Sequence, residues 1–196
     1  MPDTLLRDRL RAATAGDHQA LDQTAAALDF DSASGYGRFL SASAGALTSL
    51  ELALERDGVE TWLADWPRRS RRAVLHDDLA AMNLPIPTLE AQPAFSQAFA
   101  VGVLYVLEGS RLGARFIARR VRSSGPTLPT GYLTHGEEFN LWRSFLEWLE
   151  SQRKVGFRTD EAVAGARYGF RCFAAAFQTV ASPGVSNVRA GVDARI

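Results

Sequence analysis

Apolar residues recur at three- and four-residue steps along most of this chain, and alternating strand patterns are scarce. Leu6, Leu10, Ala13, Leu21 and Leu28 form one such stripe, which predicts a first helix over about residues 4–28 with Thr4 as its N-cap. Ser34 or Ser32 starts the next, from Tyr36 to about Glu55, with Phe39, Leu40, Leu47, Leu50 and Leu54 facing inward. A third runs from about Thr61 past Trp62 and Trp66, is interrupted at Pro67, and continues over Arg68–Met82. Pro85 and Pro87 make a linker of residues 83–88. Further helices are predicted over about 93–122, 136–153 and 159–181, with a proline- and glycine-rich loop over 123–131. Residues 182–196 carry little apolar periodicity and read as a frayed tail. The pattern describes one all-α domain over residues 1–181, a single helical bundle of six or seven helices.

A chain of 196 residues is long enough for one sizeable core. Its 22 basic and 22 acidic residues cancel, so charge points to neither nucleic acid nor a membrane surface. The basic side is nearly all arginine, with Lys154 the one lysine. The single cysteine, Cys172, excludes an intramolecular disulfide and fits a reducing compartment. The charged N-terminus lacks the apolar run of a signal peptide, and the expected location is the cytoplasm.

Three patterns carry candidate chemistry. His18 lies beside the apolar stripe of the first helix, seven residues after Arg11 on the same face. It reads either as a core histidine or as a ligand. His76 reads as solvated and His135 as a loop or cap residue. No second histidine or carboxylate stands near His18 at metal-cage spacing, which argues against zinc, and no Glu-x-x-His pair supports a di-iron site. One imidazole suffices where a macrocycle supplies the other ligands, as haem does. The second pattern is Val101, Tyr105, Gly109 and Gly113 at four-residue spacing. A helical glycine costs about 1 kcal/mol against alanine. Such a stripe serves either close helix packing or the close approach of a flat ligand. Glu108 beside it reads as half of a structural salt bridge, and Arg111 as pointing to solvent. The third pattern is Arg167 and Arg171, one turn apart and flanked by Phe170 and Phe173. They suit either solvent or a dianionic ligand.

Together these segments resemble the haem oxygenase family, and its bacterial branch in particular. Leu10-Arg-Ala-Ala-Thr14-Ala-Gly-Asp-His18 is similar to the family's Leu-x-x-Ala-Thr-x-x-x-His segment. Gly102-Val-Leu-Tyr105-Val-Leu-Glu108-Gly109-Ser110-Arg-Leu-Gly113 resembles its glycine-bearing distal helix, and Arg167-Tyr-Gly-Phe170-Arg171 its basic, propionate-facing helix. The resemblance spans about residues 5–180. It implies an all-α bundle of the haem oxygenase type. Haem is then both cofactor and substrate, opened with O2 and electrons to biliverdin, CO and ferrous iron. His18 becomes the iron ligand, Gly109 and Gly113 the distal wall, and Arg11, Tyr105, Arg167 and Arg171 the propionate partners. Ser110 stands where mammalian members carry an aspartate, which bacterial members also lack, and the proton relay is left unassigned. The resemblance further implies a ferredoxin or flavodoxin system as electron donor, and either iron release or biliverdin supply to a bacteriophytochrome. A non-catalytic haem carrier or sensor on the same scaffold is the alternative.

Overall fold

The computed structural model describes residues 4–123, 127–153 and 156–181. Among them every regular element is helical: α1 (Leu6–Ala26), α2 (Ala33–Arg56), a 3-10 turn (Val59–Thr61), α3 (Trp66–Arg69), α4 (Arg72–Ala81), α5 (Gln97–Ser123), α6 (Gly131–Thr134), α7 (Leu141–Ser151) and α8 (Thr159–Ala181). The expected tail, 182–196, lies outside the described residues. No helix among the described residues is long and apolar enough to cross a membrane.

Helix α2 is the central rod, and all five of its expected inward residues, Phe39, Leu40, Leu47, Leu50 and Leu54, are buried. Ser32 is its N-cap, accepting from the Gly35 amide at 3.1 Å. Gly58, at φ +84°, closes its far end in the left-handed conformation that a glycine adopts without steric cost. Helix α4 ends in a Schellman motif, Leu84 N to Leu79 O at 2.9 Å and Asn83 N to Ala80 O at 3.0 Å. That bond pair sets the linker at the residue where the prolines predict it.

Helices α1 and α5 both rest on α8. The α5–α8 contact is a backbone-to-backbone approach. A β-carbon at Gly102 would overlap the Ala162 carbonyl and stand 2.6 Å from the Ala166 nitrogen. A β-carbon at Gly165 would overlap the Phe99 carbonyl in return. Glycine's lack of a side chain is what permits this crossing.

Three element starts are capped from a distance rather than by their own N-cap residues; α5 is capped by its own Ser96, whose hydroxyl accepts from the Phe99 amide at 3.2 Å. The α1 amides of Leu6 and Arg7 donate to Glu150 Oε2 and Oε1 at 3.1 and 3.0 Å. This corrects the expected cap at Thr4: the N-cap position is Leu5, which has no side-chain acceptor. Buried Glu51 accepts from the Arg71 and Arg72 amides and the Ser70 hydroxyl, opening α4. Asp78 accepts from Gly131 and Tyr132, which fixes the short α6 that periodicity missed. Asp57 accepts from the Phe95 amide at 2.8 Å, while Arg56 donates to the Gln92 and Pro93 carbonyls. These bonds hold residues 92–95 extended, so α5 starts at Gln97 rather than at 93. A carboxylate at a helix N-terminus answers both the unpaired N–H groups and the helix dipole.

Burial pushes His76 and His135 below the ordinary imidazole pKa of 6.5, with Arg72 and Arg111 respectively adding to the effect. Both pKa values are depressed, so this stabilisation is complete above about pH 6.5. It is lost as pH falls, because the unfolded chain then takes up protons that the folded chain refuses. Thermal unfolding of the ligand-free protein between pH 8 and pH 5 is expected to show a smaller fall in Tm for His76→Gln/His135→Gln than for the unsubstituted chain. Parallel Tm curves would show that carboxylates alone set the dependence.

Candidate functional site

Helix α1 buries only Leu6, Leu10 and Thr14, all in its first nine residues. From Ala15 onward it lies against little of the core, and this is the half that carries His18. The imidazole is 64% exposed, with Nδ1 held by Asp22 Oδ2 at 2.9 Å one turn later. A carboxylate on one ring nitrogen fixes the ring and leaves Nε2 as the atom for a metal. The ring edge packs on Phe170 of α8, centroids 5.8 Å apart.

The C-terminal half of α5 buries one face through Ala114, Ala118 and Val121 and leaves the other bare. Leu112 and Phe116 are 52% and 70% exposed, on the side of the helix that carries Gly109 and Gly113. No atom lies within 4 Å of a β-carbon built on Gly113, and Gly109 would only touch Trp142 at 3.7 Å. The glycine helix therefore answers both open readings at different positions. Gly102 serves helix packing, whereas Gly109 and Gly113 leave open space. An exposed apolar face on α5 and an exposed, oriented imidazole on α1, both helices resting on α8, suit a flat, largely apolar partner. Among the described residues no group of three or more His, Cys, Asp and Glu is assembled as a metal cage. A metal at His18 has to arrive with its other ligands. The residues present thus fit a haem.

The structure brings Arg11 and Tyr105 within electrostatic reach of each other, and Tyr105 lies against Trp142 with centroids 5.9 Å apart. Arg167 reaches α1, donating to the Ala13 carbonyl at 3.1 Å. Arg171 instead lies over the Tyr168 ring at 5.6 Å, on the flank where Tyr168 bonds Gln92. Cys172 is half-buried there, and burial raises its pKa, as expected of an inert thiol. His135 caps the end of α6 as expected, but His76 is half-buried with Nε2 3.0 Å from Thr48 Oγ1, not solvated.

Behind the glycine face lies a cluster that sequence reasoning missed. Arg111, expected in solvent, is 8% exposed and pairs with buried Glu108, Nη2 to Oε1 at 2.9 Å. The predicted structural salt bridge of Glu108 is therefore present, with two partners. Arg69 Nη1 donates to its other oxygen, Oε2, at 2.7 Å. Arg69 also grips Asp65 through Nε and Nη2, at 2.8 and 2.7 Å. Desolvating Arg111 is offset only because its carboxylate and carbonyl partners are in place. Asp65 four residues before Arg69 and Asp22 four residues after His18 were the readable signals. The pairing of Arg69 with Glu108, 39 residues apart, leaves none.

A protein-family model described as heme oxygenase matches residues 4–179. The chain belongs to the haem oxygenase family. A heme oxygenase of Xanthomonas campestris pv. campestris (strain 8004) is 35% identical over 121 residues, which cover 60% of this chain and 73% of that one. The fold also matches that of the haem oxygenase of Neisseria meningitidis, solved with NO and CO bound. The TM-score is 0.79 at 21% identity, covering 91% of this chain and 92% of that one. Membership in the haem oxygenase family carries its reaction: the O2-dependent opening of haem to biliverdin, with iron released and haem as both substrate and cofactor.

If the bare α5 face is the haem-facing wall of this haem oxygenase, its glycines can be replaced without unfolding the protein. Gly113→Leu is expected to fold, with Tm at or above the unsubstituted value, since leucine is the better helix former. Turnover should fall by at least tenfold, because the side chain fills the space beside the ligand. Full turnover in this variant would show that the ligand does not need the space beside Gly113.

Proposed function

We propose that haem lies between the bare halves of α1 and α5, with His18 Nε2 on the iron and Gly109 and Gly113 against the opposite face. One observation carries this reading: an exposed imidazole, oriented by Asp22, on a helix half without a fully buried residue. Haem, when bound, supplies the iron that takes O2 and the carbon skeleton that is oxidised. The protein's part is to bind, orient and exclude. Asp22 holds the imidazole ring; Phe170 packs its edge; Leu112 and Phe116 cover apolar haem surface. Ser110 follows Gly109 directly and brings a hydroxyl to the distal side.

Arg11, Tyr105 and Arg167 converge near α1 and serve the propionates, with Arg171 the outlying fourth. Each exposed arginine–carboxylate pair contributes only about 0–1 kcal/mol of affinity. Their larger effect is to set the in-plane rotation of the haem, and with it the carbon bridge that is opened. Arg167→Ala is expected to change the ratio of biliverdin isomers, α being the main wild-type product, more than it changes haem affinity. Arg171→Ala should do less, since its guanidinium lies over Tyr168. Chromatography of the products checks this, and an unchanged ratio in Arg11→Ala, Arg167→Ala and Arg171→Ala would place orientation with the apolar walls.

A ferredoxin or flavodoxin system as electron donor completes the reading, supported by exposed Arg115, Arg119 and Arg122 beside Leu112 and Phe116 on α5. A cytoplasmic location fits carriers of that kind. Biliverdin then serves iron release or passes to a bacteriophytochrome. The deciding experiment is a haem titration followed by aerobic turnover with a reductant. A biliverdin spectrum is expected; a stable haem complex that never turns over would support a carrier or sensor instead.

A further inference from the structure

Three arginines are buried behind the glycine face, and they differ in one respect. A guanidinium carries five N–H donors. In Arg69 all five have acceptors: Asp65 twice, Glu108, the Leu141 carbonyl and Ser144 Oγ. Arg111 likewise spends its donors on Glu108, the Arg69 carbonyl and His135. Arg71 is 1% exposed, yet only its Nη2 is used, donating to the Leu107 carbonyl at 2.7 Å and to Ser110 Oγ at 3.0 Å. Among the described residues its Nε and Nη1, three N–H groups, have no acceptor.

A buried cation with unused donors is costly to keep for packing alone. Its used donors end on two neighbouring positions of α5, Leu107 and Ser110, on either side of Gly109. The Ser110 hydroxyl itself donates to the Leu107 carbonyl at 2.7 Å. Its proton is committed there, Arg71 occupies one lone pair, and one lone pair remains for a further donor. Arg71 thus fixes the rotation of the one hydroxyl beside Gly109 and places a positive charge immediately behind it. The guanidinium lies over the Tyr132 ring at 5.2 Å, which holds it flat. The other charged or titratable groups around it are Glu51 of α2, Glu108 and Arg111 of α5, Arg69 beside it in the chain, and His135 after α6.

We propose that Arg71 is a positioning residue of the distal side: its free N–H groups hold ordered water behind α5, and its bond to Ser110 sets that hydroxyl to receive a proton-carrying water on the haem side. Buried polar N–H groups of this kind are where structural water resides. The role rests on the proposed placement of haem. A cation acting through Ser110 favours the anionic side of any acid–base equilibrium at the distal face.

The test is the pH midpoint between the acid and alkaline visible spectra of the ferric haem complex, in Arg71→Met, Arg71→Lys and Ser110→Ala. Arg71→Met is expected to raise the midpoint by about one pH unit. Ser110→Ala should raise it by less, and Arg71→Lys, which keeps the charge, should restore most of the wild-type value. Haem affinity should stay within about threefold in the two Arg71 variants, since that side chain lies behind the wall. Thermal unfolding of each ligand-free variant shows that it is folded. If Arg71→Met does not fold, Ser110→Ala and Arg71→Lys decide: a shift in the first with none in the second supports the role. An unmoved midpoint in Ser110→Ala, or an equal shift in Arg71→Lys and Arg71→Met, overturns it and leaves Arg71 a packing residue. A wild-type complex without imidazole ligation would overturn the haem placement first, and the Arg71 role with it.

Discussion

Gly102→Ala is expected to lower the stability of the ligand-free protein by at least about 3 kcal/mol. The added β-carbon would overlap the Ala162 carbonyl and press on the Ala166 nitrogen. Both are backbone atoms of α8, so no side-chain rotation relieves the clash; the two helices have to separate. Separation would loosen Val103, Leu104 and Val106 of α5 and Ala162 and Ala166 of α8, all buried at or near the crossing. For a domain of this size the loss corresponds to a fall in Tm of roughly 6–12 °C. Gly113→Ala, on the same helix, is expected to gain about 1 kcal/mol, because nothing stands in its way and alanine is the better helix former. Thermal unfolding followed by circular dichroism compares the two. A Tm for Gly102→Ala within about 2 °C of the unsubstituted protein would show that the crossing has room.

The second large effect is His18→Ala. Haem should no longer give the spectrum of an imidazole-ligated iron, and biliverdin formation should fall at least 100-fold. Folding should be untouched, since the side chain is mostly exposed and its half of α1 buries little. Asp22→Asn keeps the ring but removes the charge at Nδ1, and should cost about 10-fold in iron affinity or turnover. His76→Gln and His135→Gln should keep the spectrum, one ring being held by Thr48 and the other tucked beside Arg111. Retention of the ligated spectrum in His18→Ala, with its loss in either of the other two, would move the ligand to that histidine.

The long helices were legible because periodicity is a local property: α2 buries the five residues its stripe points to, and α8 occupies the predicted 159–181. The positions of His18 on α1 and of the glycines on α5 were legible in the same way. What escaped were features made by residues far apart in the chain. Arg111 was placed in solvent because an arginine on a helix has no local reason to be inside. Its reason is Glu108 and the carbonyl of Arg69, which α3 delivers from 42 residues earlier. The short α6 escaped because four residues carry no period; the Asp78 carboxylate defines it. The start of α1 was misplaced for the same cause, its acceptors belonging to Glu150.

That last bond spans 144 residues, and it sets an order of events during synthesis. Helix α1 leaves the ribosome before α7, and its opening turn is completed only after α7 has emerged. The segments it leans on, through Phe170 and through Arg167 at Ala13, come later still. A growing chain therefore carries His18 on an unanchored helix until α7 and α8 have emerged. On the proposed placement, haem loading follows the emergence of α8.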